Sequence, residues 1–94
     1  MTTRISERDL ENVCKRINKA TGNQVEPVTR NADNTLSWSI GTYTLSAAYG
    51  GWKLERIENE AGGVRTISSG GYIPKRELYN QMQAFLSGIE AANN

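Results

Sequence analysis

The amino-acid sequence predicts one α+β domain, with an N-terminal helix, a three- to four-stranded antiparallel meander sheet and a C-terminal helix in that order. Three observations predict this class. Apolar residues recur at helical spacing near both ends of the chain, apolar and polar residues alternate in the middle, and glycine pairs separate the alternating stretches. An apolar helix stripe must be buried, and the apolar face of the sheet is the surface available. We therefore expect both helices on one sheet face.

The length and composition of the chain limit what it can be. Its 94 residues, 37% of them hydrophobic, suffice for one core, so we expect a single domain over 1–94 with a core spanning about 5–91. No apolar run approaches the roughly 20 residues of a membrane span, and the start Met-Thr-Thr-Arg lacks the apolar segment of a signal peptide. The single cysteine cannot form an intramolecular disulfide, which agrees with a reducing compartment. We expect a cytoplasmic protein that does not contact a membrane.

Residues 6–21 are predicted to form an amphipathic helix. Ser6 can cap its first turn, and Asp9 stands where a capping box places the acceptor for the Ser6 amide. Gly22 can adopt the left-handed conformation that ends a helix. The apolar stripe recurs at three- and four-residue steps and consists of Leu10, Val13, Cys14, Ile17 and Thr21.

The middle of the chain is predicted to form the sheet. Residues 25–30 give a weak first strand, in which Pro27 indicates an edge position, and residues 31–34 form a turn. In the next strand serines alternate with the apolar residues Leu36, Trp38 and Ile40. This alternation predicts a strand with one buried face and one solvated face.

A hairpin follows this strand. Alternation resumes at Tyr43 and continues to Gly50-Gly51, a pair that can supply the positive φ of a tight turn. On the return strand the alternation breaks at Ile57, which suggests a bulge near Glu55 or Arg56. A turn at 59–63, a last short strand at 64–67 and a loop at 68–71 complete this region.

The second helix is predicted over residues 74–90, with Pro74 near its first turn, where a missing amide donor costs little. Its apolar stripe recurs at helical spacing and packs against the sheet. The predicted core of the domain consists of Leu10, Val13, Ile17, Leu36, Trp38, Ile40, Leu45, Leu54, Leu78, Met82, Phe85, Leu86 and Ile89.

The residues give little support for catalysis or for a cofactor. Histidine is absent, so Ser-His and Cys-His pairs cannot form and no zinc site can be built from one cysteine. A Ser-Lys pair remains formally open. Cys14 lies on the apolar helix face, where a free cysteine usually behaves as a small hydrophobic residue. We expect no catalytic residues, no metal, no cofactor and no small-molecule substrate, and hence not an enzyme.

One charged surface is a candidate binding site. Its side chains share about a quarter of the first helix, opposite the apolar stripe, and are Arg8, Asn12, Lys15, Arg16 and Lys19. Two interpretations stay open: an ordinary solvated face, with Glu11 placed to pair with Lys15, or a stripe that contacts phosphates. A net charge of +1 does not suit non-specific coating of nucleic acid, so any such contact must be local.

The aromatic residues admit a second kind of contact. Exposed rings can stack on the bases of single-stranded nucleic acid. Trp38 and Trp52 are in phase with the apolar strand residues and are expected to face the helices. Tyr49 and Tyr72, which lie beside glycines, are better candidates for exposure.

Several stretches of the chain resemble a family of short bacteriophage proteins, the type I-F anti-CRISPR proteins. The resemblance spans most of residues 5–91 and is carried by turns, strands and a helix start. These stretches are Thr21-Gly22-Asn23, Gly41-Thr42-Tyr43-Thr44-Leu45, Ala48-Tyr49-Gly50-Gly51-Trp52-Lys53-Leu54 and Lys75-Arg76-Glu77-Leu78-Tyr79.

The resemblance implies a stoichiometric inhibitor in the cytoplasm of a host bacterium. Its partners would be Cas proteins of a type I-F RNA-guided surveillance complex, with the guide RNA as a further partner, and it would stop that guide from pairing with target DNA. The family supplies no residue motif for this function, so the candidate site is the basic helix face alone. The alternative is a small nucleic-acid-binding regulator of phage or host transcription.

Overall fold

The computed structural model describes residues 4–23 and 28–92. Its elements are α1 (Glu7–Ala20), β1 (Val28–Arg30), β2 (Leu36–Trp38), β3 (Tyr43–Ala48), β4 (Gly51–Ile57), β5 (Val64–Thr66) and α2 (Lys75–Ala92). Helices flank antiparallel strands, so the predicted α+β class is confirmed. The start of the predicted first strand, with Pro27, lies outside the described residues.

The first helix begins and ends where its local sequence requires. The hydroxyl of Ser6 accepts from the Asp9 amide at 3.2 Å, and the Asp9 carboxylate accepts from the Ser6 amide at 2.9 Å, which completes the capping box. Gly22 has a φ of 76°, and its amide donates to the Lys19 carbonyl at 3.2 Å. A residue without a Cβ adopts this left-handed conformation without strain, so the helix stops there.

The main sheet is a three-stranded antiparallel meander in the order β3-β4-β5. The pairing of β3 with β4 runs without interruption from Tyr43↔Arg56 to Ala48↔Gly51. The predicted bulge is therefore wrong. Leu54 and Ile57 lie three residues apart, so their side chains point to opposite faces, yet both are buried. The break in alternation at Ile57 reflects burial on both faces of β4.

Both helices pack on one face of this sheet, as predicted. Leu45 and Leu54 are cross-strand partners on that face. Leu54 belongs to the buried cluster, and Leu45, Trp52, Phe85 and Ile89 pack against it half-buried. The buried members of the cluster are Leu10, Val13, Cys14, Ile17, Leu54, Ile73, Leu78, Met82 and Leu86. The core thus joins α1, α2 and β4.

The second helix begins after Pro74, whose carbonyl accepts from the Leu78 amide at 3.0 Å. Pro74 therefore occupies the N-cap position, where its lack of an amide donor costs nothing. Before the helix, Ile73 forms an antiparallel bridge with Trp52, with backbone bonds of 2.8 and 2.9 Å. This bridge ties the start of α2 to β4.

The hairpin between β3 and β4 turns one residue earlier than predicted. Tyr49 and Gly50 form the two-residue loop, with φ values of 54° and 74°, so both have the positive φ of a type I′ turn. Gly51 begins β4 and has another role. A Cβ on Gly51 would lie 2.7 Å from the carbonyl carbon of Tyr72, so glycine permits the close approach of the segment that contains Ile73.

The first two strands form a separate two-stranded sheet, which corrects the prediction that they belong to the main one. Leu36, Trp38 and Ile40, all predicted to be core residues, have exposed fractions of 55%, 36% and 56%. Trp38 does not face the helices. Its ring lies so close to Gly62 that a Cβ there would meet the indole nitrogen at 2.7 Å. The alternation in this segment identified a strand correctly, but the helices cover β3 and β4 instead.

Leu54 in β4 and Leu36 in β2 provide a direct test of which strands belong to the core. We expect Leu54→Ala to lower the free energy of unfolding by about 2–5 kcal/mol, because Leu54 is 2% exposed and its truncation leaves a cavity. Leu36→Ala, at an exposed position in β2, serves as the matched control and should cost no more than about 0.5 kcal/mol. Urea unfolding followed by circular dichroism measures both. Equal losses in the two variants would contradict the assignment of the core.

Candidate functional site

The basic face of α1 is exposed over its whole length. Arg8, Asn12, Lys15, Arg16 and Lys19 are all exposed, and the opposite side of the helix carries its buried residues. The structure therefore brings together on one surface the residues that the sequence selected. Along the helix axis they extend about 16 Å, at 1.5 Å per residue. This face of α1 is the first candidate binding surface.

Ion pairs neutralise this face only weakly. Arg16 lies 3.9 Å from the carboxylate of Glu90 on α2, and both side chains are more than half exposed. An exposed pair at that distance contributes little and is easily exchanged for another anion. Within residues 4–23 and 28–92, Lys15 and Glu11 form no ion pair, although their spacing would permit one. The ammonium groups of Lys15 and Lys19 thus face solvent.

A buried amide determines which way this face points. Asn18 is almost fully buried, and its side-chain carbonyl accepts from the Tyr43 amide at 2.7 Å. Its side-chain nitrogen donates to the Tyr43 carbonyl at 3.0 Å. Tyr43 begins β3, an edge strand of the main sheet, so Asn18 occupies the place of a neighbouring strand. With Asn18 and the apolar stripe both held inward, the basic side of the helix faces solvent.

This role of Asn18 was not predicted from the sequence. The residue lies four positions after Cys14, at the margin of the apolar stripe, where a side chain can lie either in the core or in solvent. That position was the available signal. Such a residue is buried only with its hydrogen bonds satisfied, which indicates a partner on another element.

The second candidate surface is the hairpin tip, named here the Tyr49 tip and comprising residues 47–51 with Tyr72. Tyr49 is 96% exposed, as its position beside glycine predicted, and has a φ of 54°. For a residue with a bulky side chain this left-handed conformation costs about 1–2 kcal/mol. Because the Tyr49 side chain lies in solvent, its burial does not offset this cost.

Tyr72 packs against Tyr49 and is itself held by contacts with the sheet. Its ring lies edge-on to Tyr49, with centroids 5.7 Å apart. The Tyr72 hydroxyl is hydrogen-bonded to Ser46 at 3.1 Å, and the Lys53 ammonium lies 4.6 Å from the Tyr72 ring centroid. Tyr72 is half-buried, so of the two tyrosines predicted as candidates for exposure only Tyr49 is exposed.

Cys14 lies in the core and does not resemble a nucleophile. Its thiol donates to the Tyr43 carbonyl at 3.3 Å. Burial raises the pKa of the Cys14 thiol from 9.0 to about 11, so the reactive thiolate is strongly disfavoured at neutral pH. The predicted role as a small hydrophobic residue fits this environment.

A cleft of about 340 Å³ lies beside Trp38, Ile40 and Asn23. The described residues that line it carry no ionisable side chain, so it offers neither an acid nor a base. In the described part of the chain no three potential ligands among His, Cys, Asp and Glu converge on a possible metal position. Neither helix is long and apolar enough to span a bilayer.

Comparisons with family models, with curated proteins and with solved structures give no match to this chain. The candidate surfaces therefore carry the functional interpretation: the basic face of α1 and the Tyr49 tip.

The buried thiol gives a prediction for alkaline pH. Below about pH 9 the thiol is protonated in both folded and unfolded chains, so it does not affect stability. As the pH rises from 9 towards 11, the unfolded chain loses the thiol proton first, and unfolding becomes more favourable by about 2–3 kcal/mol. We expect urea titrations at a series of pH values to give this loss for the wild-type protein.

The Cys14→Ala variant is the control for that titration, because it retains the tyrosines and lysines that also ionise in this range. It should have lower stability at pH 7 through the small cavity it creates, but a shallower fall above pH 9. Parallel curves for the two proteins would show that the thiol is not shielded from water.

Proposed function

We propose that this chain is a phage-encoded inhibitor that binds a type I-F CRISPR RNA-guided surveillance complex in the host cytoplasm and blocks pairing of the guide RNA with target DNA. The observation that carries the proposal is the basic face of α1, which is exposed and whose Lys15 and Lys19 form no ion pair among the described residues. The resemblance of the turn, strand and helix-start motifs to the anti-CRISPR family supplies the identity of the partner.

The mechanism requires binding and no chemical step. Lysine and arginine on one helix face can replace the counterions of a phosphate backbone, and the released ions drive association. Acidic protein side chains could be contacted in the same way. An inhibitor that occupies the guide RNA, or the protein surface beside it, prevents target DNA from reaching the guide. We therefore propose no catalytic activity and no cofactor.

The alternative function is a small nucleic-acid-binding regulator of phage or host transcription. The same basic face supports it, because phosphates of DNA and of guide RNA attract cations equally. The two functions differ in what they require: an inhibitor binds the assembled ribonucleoprotein, whereas a regulator binds DNA alone. Binding assays with each purified partner distinguish them.

The test uses the double variant Lys15→Glu, Lys19→Glu. If both lysines contact phosphates, binding to the purified complex weakens, and the slope of log affinity against log salt falls by about two units. The melting temperature should change little, because exposed substitutions rarely cost more than about 0.5 kcal/mol. Affinities measured at several salt concentrations by biolayer interferometry give both quantities.

The matched control is Arg65→Glu, Lys75→Glu, which changes the net charge equally at exposed positions outside α1. It should retain affinity close to that of the wild-type protein. Unchanged affinity in a well-folded Lys15→Glu, Lys19→Glu variant would refute the site. A wild-type protein that bound DNA but not the complex would refute the inhibitor and support the regulator.

A further inference from the structure

The Tyr49 tip contains a residue that the fold itself does not favour. A type I′ turn needs positive φ at both central positions, which asparagine, aspartate and glycine adopt most readily. This chain has Tyr49 there, with a φ of 54° and almost the whole side chain in solvent. Burial does not offset this strain, and strain of this kind is common where a residue serves a function. Tyr49 is therefore a candidate for contact with something outside the chain.

The ring of Tyr49 projects from the hairpin into solvent. Among the described residues its aromatic neighbour is Tyr72, which meets it edge-on at 5.7 Å, and this contact leaves most of the Tyr49 side chain uncovered. At Gly50 and Gly71 an added Cβ would meet no atom within 4 Å, so open space lies around the tip. Tyr72 is anchored by Ser46, which gives Tyr49 a firm base.

The charges near the tip select the kind of partner. Neither residues 46–51 nor residues 68–73 contain a charged side chain. The Lys53 ammonium at this base, 4.6 Å from the Tyr72 ring centroid, belongs to a side chain that is 20% exposed and lies 3.4 Å from the Glu55 carboxylate, so its charge is compensated. Within residues 46–51 and 68–73 a phosphate backbone would find no cation, in contrast to the face of α1. An uncharged, rigid aromatic ring on a tip of small residues suits an apolar pocket on a protein.

We infer that Tyr49 anchors the chain by inserting its ring into an apolar pocket on a protein subunit of the surveillance complex, while the basic face of α1 makes the charged contacts. This inference rests on the proposed function for the identity of the partner. Such an anchor acts mainly by slowing dissociation, since an inserted ring must leave its pocket before the proteins separate.

The decisive variant is Tyr49→Asn, because it separates stability from binding. Asparagine tolerates the positive φ, so the melting temperature should rise by about 4–8 °C. Affinity for the purified complex should fall by at least about 30-fold, as expected for a lost aromatic anchor. Tyr49→Phe keeps the ring and should bind within about threefold of the wild-type protein. Ile40→Asn, which removes another exposed apolar side chain, is the control and should bind normally.

Calorimetric melting and surface plasmon resonance with the purified complex measure these effects. Wild-type affinity in Tyr49→Asn, or a lower melting temperature in that variant, would overturn the anchor while leaving the inhibitor in place. Failure of the wild-type protein to bind the complex would overturn the proposed function and the partner together. If a single-stranded RNA or DNA 20-mer bound the wild-type protein but not Tyr49→Asn, Tyr49 would act by stacking on bases, and the protein pocket would be refuted.

Discussion

The hydrogen bonds between Asn18 and Tyr43 hold α1 in register with β3 of the main sheet. Hydrophobic burial brings α1 against the sheet, but apolar contacts alone allow the helix to slide or rotate. Asn18 satisfies both backbone groups of Tyr43, at 2.7 and 3.0 Å, and so fixes one helix position against the first residue of β3. A third hydrogen bond, from the Asn23 side-chain nitrogen to the Gly41 carbonyl at 2.7 Å, reinforces this joint between α1 and β3. Any slip would leave buried donors and acceptors without partners.

This joint determines which surfaces remain for function. The apolar sides of α1 and α2 and one face of the main sheet are used up in the core. Of the surfaces that remain outside, the face of α1 is polar and charged, and the Tyr49 tip is aromatic but uncharged. The two surfaces suit different chemistry: the first attracts anions over a distance and depends on salt, and the second depends on shape and on the exclusion of water. A binding protein that used both would associate through charge and dissociate slowly through the anchored ring.

The elements with local signals could be predicted from the sequence, whereas the pairing of distant segments could not. Ser6, Asp9 and Gly22 act within a few residues of one another, so the bounds of α1 followed from them, and the five positions of its basic face were exposed as expected. Leu36, Trp38 and Ile40 show the same alternation as a core strand, but whether a helix covers them depends on segments far along the chain. The turn shifted to Tyr49 because Gly51 is needed for close approach to Tyr72, a contact across more than twenty positions. Asn18 was missed for the same reason, since its partner is 25 residues away.

Amide hydrogen exchange at Tyr43 tests the joint most directly. If Asn18 closes the edge of β3, the Tyr43 amide exchanges only when the whole domain unfolds, and its exchange free energy equals the global value from urea unfolding. In an Asn18→Ala variant the same amide should exchange through local opening, while core amides of α2 such as Met82 remain protected. Exchange of Tyr43 in the wild-type protein at the rate of the exposed hairpin, or no change in the variant, would contradict the account.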